Sequence, residues 1–318
     1  MMMNGILFAL GSCFCWGWVF VIPQFMTGFT SIEIALGRYF VYGILSCCIF
    51  CQLKFRGRHK YSYSIWIKAF YFSLISTVGC YTFLVLCLRY ASPVICTLVF
   101  GASPITIAFY GNWKERETSF RSLIIPSVLI LIGLVIVNIS HLEKSLSPSS
   151  FVLGLVCGFL ALCGWSWYVV ANSQFLKRHS EVRSGDWSTL IGVATLFWVA
   201  IFALFLGLFF DDYFHIEKYL TFSSELKQFL VGCTILGLLC SWVGVFLWNR
   251  AALYLPVSLA GQLTIFETIF GVCFVYMLKQ SMPSFMESIG IFLFLLAIGY
   301  GIKQFSKRKS YDEDIVSH

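Results

Sequence analysis

The chain has 318 residues, of which 59% are hydrophobic and 12% charged, and its formal net charge is +7. With a mean hydropathy of +0.84, this composition excludes an ordinary soluble domain and places the chain in a lipid bilayer. The positive charge calls for no nucleic-acid partner, because it collects in short loops that an anionic membrane surface attracts.

Ten apolar stretches of roughly 18–25 residues are each long enough to cross about 30 Å of hydrocarbon as helix. Their predicted extents are 4–25, 32–53, 64–87, 93–112, 120–139, 151–175, 187–210, 227–248, 254–277 and 285–303. The first carries Trp16 and Trp18, which about 200° of helical rotation separates, so only one of them faces a common interior. Its segment Leu10-Gly11-Ser12-Cys13 is similar to a lipoprotein cleavage box, but no Lys or Arg precedes it, and the span is expected to stay in the mature protein. The second span holds the deep charge Arg38, which either grips a substrate carboxylate bidentately or, the reading favoured here, snorkels or locks the span through Glu33.

In the third span Tyr81, and just beyond it Tyr90, are weaker candidates for a cavity wall. In the fourth, Pro104 with Gly101 three residues before it predicts a kink that serves as a gate or as static packing. Pro93 and Pro256 are expected at first helical turns. The sixth span repeats the aromatic pair as Trp165 and Trp167, followed by Tyr168 and Asn172, and the eighth adds Trp242. Such rings offer stacking and cation–π faces, although ordinary packing accounts for most aromatics in a chain that is 18% aromatic.

Glu267 stands in the middle of the otherwise apolar ninth span, where an ionised carboxylate costs at least a few kcal/mol unless it faces water or a partner. It reads as a counter-charge for a cationic substrate group or as a coupling proton acceptor, against the alternative of a neutral packing residue. Thr264 shares a helical face with it, and Gln262 partly does.

The chain repeats itself. The stretch from Leu88 to Ile107 is echoed by the one that begins at Ala252, 164 residues later, and Cys15-Trp16-Gly17-Trp18-Val19 matches Gly164-Trp165-Ser166-Trp167-Tyr168 at an offset of 149. The expected organisation is a first repeat over 1–140, a second over 151–303 and a tail over 304–318. Five spans per repeat is odd, so the two copies are inverted in the membrane, the plan by which many secondary carriers build a mid-membrane site. Of the 22 Lys and Arg, 16 fall in loops and span ends on one side and five on the other, which predicts both termini in the cytoplasm. The tail, basic from Lys303 to Lys309 and acidic at Asp312 to Asp314, reads as solvated.

All 13 cysteines lie in apolar stretches without metal-ligand spacing, and the five histidines (His59, His141, His179, His215, His318) lie in loops or the tail. The expectation is therefore no metal, no cofactor and no His-based intramembrane catalysis. The pair Asp211-Asp212 is similar to the magnesium-diphosphate sites of membrane prenyltransferases, but a lone pair in a loop reads as a solvated turn.

These features resemble the ten-helix drug/metabolite transporter superfamily with two EamA-type repeats. The resemblance rests on Trp16 and Trp18, on Gly37-Arg38-Tyr39-Phe40, on the stretch from Arg89-Tyr90 through Ser103-Pro104 to Glu115, on Arg250-Ala251-Ala252-Leu253, on Phe266-Glu267-Thr268, and on Gly290 and Gly299. It implies an all-α polytopic membrane protein in which spans one, three, four, six, eight and nine surround a cavity. Spans five and ten would form a support and a candidate homodimer surface. The sequence departs from the family pattern where Ser103-Pro104 replaces a Glu-Pro pair, where Lys279 replaces an acidic residue, and in a seventh span with no counterpart of Arg38.

The implied function is secondary-active transport of a small organic metabolite across a bacterial inner membrane. The run from Trp16 to Pro23, with the many Cys and Phe, is similar to the EamA carriers of intracellular bacteria that exchange S-adenosylmethionine for S-adenosylhomocysteine. Export of an aromatic or hydrophobic amino acid or a drug is the alternative, and a membrane enzyme the alternative of another class.

Overall fold

The computed structural model describes residues 2–55, 61–91, 93–139, 148–209, 217–221 and 223–316. Arg56, Arg58, Lys60, Lys144, Asp211, Asp212, His59, His141, His215 and His318 lie outside them. Among the described residues, ten helical spans are long and apolar enough to cross a membrane: Met2–Phe25, Ser31–Leu53, Tyr63–Tyr90, Ile95–Glu115, Phe120–Asn138, Phe151–Arg178, Ser184–Leu208, Ser224–Tyr254, Val257–Lys279 and Phe285–Ser306. They are numbered one to ten below, and the side on which span 1 begins is the near face.

The packing is that of two inverted five-helix repeats. Span 1 lies against spans 8 and 9, and its counterpart, span 6, lies against spans 3 and 4. Span 2 packs on span 8 as span 7 packs on span 3, while spans 2 and 7, 4 and 9, and 5 and 10 each meet their own counterparts. The irregularities are duplicated too. Span 3 widens into a π-helical stretch at Leu74–Gly79, and span 8 does so at Leu236–Val243.

Span 4 is broken at Ala102 into Pro93–Gly101 and Ser103–Glu115, and span 9 is broken at Thr264 into Val257–Leu263 and Ile265–Lys279. In span 4 the cause is Pro104, which has no N–H to give the preceding turn and whose ring would strike its carbonyl. It therefore sits in the first turn of a new half-helix, and Gly101 ends the one before, so the expected kink is a full break. In span 9 the Thr264 hydroxyl donates to the Gly261 carbonyl at 2.6 Å, turning back the last carbonyls of the first half. Both broken spans end in a left-handed residue that is not glycine, Arg116 (φ 51) and Gln280 (φ 49).

The start of span 9 is capped from the other repeat. Glu117, in the connection after span 4, accepts from the backbone N–H of Val257 at 2.5 Å and of Ser258 at 2.8 Å, and from the Ser258 hydroxyl at 2.6 Å. A carboxylate at a helix N-terminus satisfies the free N–H groups and meets the positive end of the helix dipole.

The final helix continues from Phe285 to Val316, so most of the expected tail prolongs span 10.

Spans 5 and 10 meet where Gly133 and Gly290 face each other. A Cβ on Gly133 would come within 2.7 Å of Phe294, and one on Gly290 would lie 3.0 Å from the Gly133 carbonyl and strike Val137. Gly290→Val is expected to lower stability by about 1–3 kcal/mol, the usual cost of overpacking. A lower unfolding midpoint in detergent, against an unchanged midpoint for Gly299→Ala, where a Cβ meets open space, is the check.

Candidate functional site

Trp16, Val19, Arg38, Tyr39, Ser76, Cys80, Tyr81, Leu84, Phe100, Ser103, Trp165 and Glu267 line a cavity of about 180 Å³ between spans 1, 2, 3, 4, 6 and 9. Glu267 occupies the first turn of the second half of span 9, about 15 Å along the span from Val257 at the helical rise per residue and so near mid-membrane. The N-terminal end of that half-helix favours negative charge. The second half of span 4 begins at Ser103, the residue that corresponds to Glu267 at the 164-residue offset. Two half-helix N-termini therefore converge on one cavity, and one of them carries the carboxylate.

Arg38 enters from span 2. Its Nε donates to the Ser241 hydroxyl at 2.8 Å, and its guanidinium lies 5.2 Å from the Tyr39 ring centroid. Arg38 is itself one of the residues that line the cavity. Arg38 and Glu267 do not close on one another as an ion pair; within 4.0 Å the ion pairs among the described residues are Lys177–Glu117 and Lys218–Glu33. The idea that Glu33 locks Arg38 is corrected. Glu33 is fully buried and forms a capping box at the start of span 2, accepting from Thr30 N–H at 2.7 Å while its own N–H meets the Thr30 hydroxyl at 3.2 Å.

The aromatic pairs divide as helical geometry requires. Trp16 and Trp165 line the cavity with ring centroids 6.0 Å apart at 71°. The Trp16 indole donates to the Cys240 carbonyl at 2.9 Å, inside the π-helical stretch of span 8, and Gly244 leaves room for it. Trp18 faces away, stacked on Phe274 at 4.5 Å along a lateral groove, and Trp167 packs edge-on against Tyr71 and Phe72.

Three other expected site residues stand off the cavity. Tyr168 is buried beneath Trp165 at 5.5 Å. Gln262 is buried against Gly301 with neither amide atom hydrogen-bonded, and the Thr264 hydroxyl is spent on its own helix. The reason for the last two is the break at Thr264, which ends the continuous helical face assumed to join them to Glu267. Gly101 packs against Leu134 of span 5, and Pro104 is buried one residue beyond cavity-lining Ser103.

The near-face side of the cavity is sealed. Trp248 lies 5.5 Å from Trp16, and below it Asn172 donates to Asn249 at 2.8 Å, Asn249 to Ser188 at 3.0 Å, and the Trp187 indole to Asn172 at 2.7 Å. Tyr42 joins through the Ser188 carbonyl at 2.6 Å. Further out, Tyr61 donates to Asp186 at 2.6 Å; burial first, and then this bond, push the Tyr61 phenol well above its ordinary range.

Ser76, Cys80, Tyr39, Phe100 and Ser241 were not expected at the site. Ser76 and Ser241 belong to the π-helical stretches of spans 3 and 8, and Cys80 follows the first of these directly. The available signal was the crowding of small residues there: Ser73, Ser76, Thr77, Gly79 and Cys80 in one span, Gly237, Cys240, Ser241 and Gly244 in the other.

Residues 3–139 match the model of the EamA-like transporter family. The chain is 25% identical over 309 residues to the inner membrane protein YtfF of Escherichia coli (strain K12), covering 95% of this chain and 96% of that protein. A solved crystal structure shares the fold with a TM-score of 0.74 at 15% identity, over 94% of this chain and 96% of the other.

The asparagine network predicts a stability effect separable from the cavity. Asn249→Ala strands the Asn172 amide in a buried setting, at an expected cost of about 1–3 kcal/mol. A fall in thermal midpoint checks it, and no fall would show the network to be dispensable.

Proposed function

We propose that this chain, a membrane transporter of small molecules whose residues 3–139 match the EamA-like transporter family, carries a small zwitterion with an aromatic group by secondary-active transport. The observation that carries the reading is a guanidinium and a carboxylate lining one aromatic-walled cavity of about 180 Å³ with no direct ion pair between them within 4.0 Å. Arg38 matches a substrate carboxylate, for which its planar fork is suited. Glu267 matches a substrate ammonium, which Trp16 and Trp165 also favour through their ring faces. An aromatic amino acid presents these groups at this size.

Exchange of S-adenosylmethionine for S-adenosylhomocysteine stands second. The tryptophan faces suit adenine and the carboxylate suits a sulfonium, but the cavity is smaller than the about 300–1,000 Å³ typical of sites for drug-sized ligands. Glu267 is the coupling residue in either case: the carboxylate is neutralised by substrate in one half of the cycle and by a proton or a counter-substrate in the other. The cycle alternates between the inverted repeats, with the near face opening when the Asn172–Asn249–Ser188 network parts. The proposed setting is a bacterial inner membrane, with the near face cytoplasmic because the Lys- and Arg-rich loops lie there.

Counterflow in proteoliposomes tests the reading. Labelled phenylalanine should enter faster when unlabelled phenylalanine is inside, and Glu267→Gln should abolish or uncouple that entry while the protein remains folded. Acceleration by S-adenosylhomocysteine alone would favour the second reading, and normal transport by Glu267→Gln would remove Glu267 from its role.

A further inference from the structure

A second cavity, of about 320 Å³, lies between spans 2, 3 and 7, walled by Ile32, Leu86, Phe202 and Phe205 with Arg89 at its far-face end. Tyr81 lines both this cavity and the central one. Its hydroxyl donates to the Ser31 carbonyl at the start of span 2 at 2.7 Å, and its ring stands edge-on to Tyr39, with centroids 6.3 Å apart at 86°. One side chain, anchored at its tip and braced on its edge, therefore stands between the two spaces. It stands two residues beyond the π-helical stretch Leu74–Gly79, a local irregularity of the kind found at functional sites in helices.

We propose that Tyr81 is a selectivity partition, and that the lateral cavity is a vestibule for the apolar distal limb of substrates longer than the central cavity holds. This deepens the zwitterion reading and rests on it for the identity of the head group. With Tyr81 in place, the central cavity accepts a head group and one ring. With Tyr81 displaced, the ring's far end continues between spans 3 and 7 along walls that are apolar except for Thr82 and the tyrosine hydroxyls. The guanidinium of Arg89, over the Tyr90 ring at 5.6 Å, closes the vestibule at its outer end.

The test uses the full chain in nanodiscs. Phenylalanine and 4-phenylphenylalanine are titrated against wild type, Tyr81→Phe and Tyr81→Ala. Wild type is expected to prefer phenylalanine by about tenfold, a usual pocket-size discrimination. Tyr81→Phe, which keeps the ring, should retain most of that preference, and Tyr81→Ala should lose or reverse it. A second measurement needs no substrate: alkylation of native Cys80 by a membrane-soluble maleimide, read by peptide mass spectrometry with exposed Cys48 and Cys163 as references.

Cys80 lines the central cavity and is buried, so its labelling should rise several-fold in Tyr81→Ala and stay low in Tyr81→Phe. Unchanged ranking with unchanged Cys80 labelling overturns the partition. If wild type binds neither amino acid while Cys80 labelling rises in Tyr81→Ala, the zwitterion reading fails and the partition is upheld.

Discussion

A carboxylate and a guanidinium held midway through a bilayer set the terms for the rest of the structure. Each charge costs roughly 2.5–3.5 kcal/mol at a helix centre on insertion scales, and a fold that keeps both must supply polar surroundings without exposing backbone to lipid. Here the supply comes from helix irregularities turned inward. The break at Thr264 starts a new half-helix whose dipole faces Glu267, and the π-helical stretch of span 8 presents the Ser241 hydroxyl to Arg38 and the Cys240 carbonyl to Trp16. Glu117 takes up the N–H groups that the ninth span would otherwise leave bare at its start.

The two repeats share this scaffold but not its charges. Both have a π-helical third member, a broken fourth member and a left-handed cap. The charges are confined to one copy of each element: Glu267 has Ser103 as its counterpart, and span 7 has no equivalent of Arg38. Inversion thus supplies the two-sided framework, and asymmetry supplies a single site that holds unlike charges apart. The buried asparagine network likewise lies on the near face, so the conformation described here is one in which that face is latched.

Much of this was legible in the chain because the membrane makes it so. Length and apolarity alone mark ten spans, since a helix must be about 20 residues long to cross. Glu267 was conspicuous because carboxylates inside apolar runs are rare, and the division of Trp16 from Trp18 follows from two residues of helical rotation. What stayed hidden depended on departures from regular helix. Gln262 and Thr264 were placed beside Glu267 on the assumption of an unbroken helix, and Ser76 and Ser241 were missed because the crowding of small residues around them does not by itself tell a π-helical turn from a close helix contact. Glu33 was misread as a partner for Arg38 because spacing brings them near, while the Thr30 capping box that claims it depends on where the helix begins.

The central claim is that Arg38 and Glu267 hold opposite ends of one small substrate. The most direct measurement is equilibrium binding of 3-phenylpropionate and phenethylamine, which each carry one of the two charges, to wild type, Arg38→Gln and Glu267→Gln in nanodiscs. The account predicts a crossed result: Arg38→Gln weakens the acid and spares the amine, and Glu267→Gln does the reverse, each loss being about 10–100-fold, as for a charge-assisted hydrogen bond of about 1.5–3 kcal/mol. Equal weakening of both ligands by both variants would contradict it and reduce the two charges to parts of the packing.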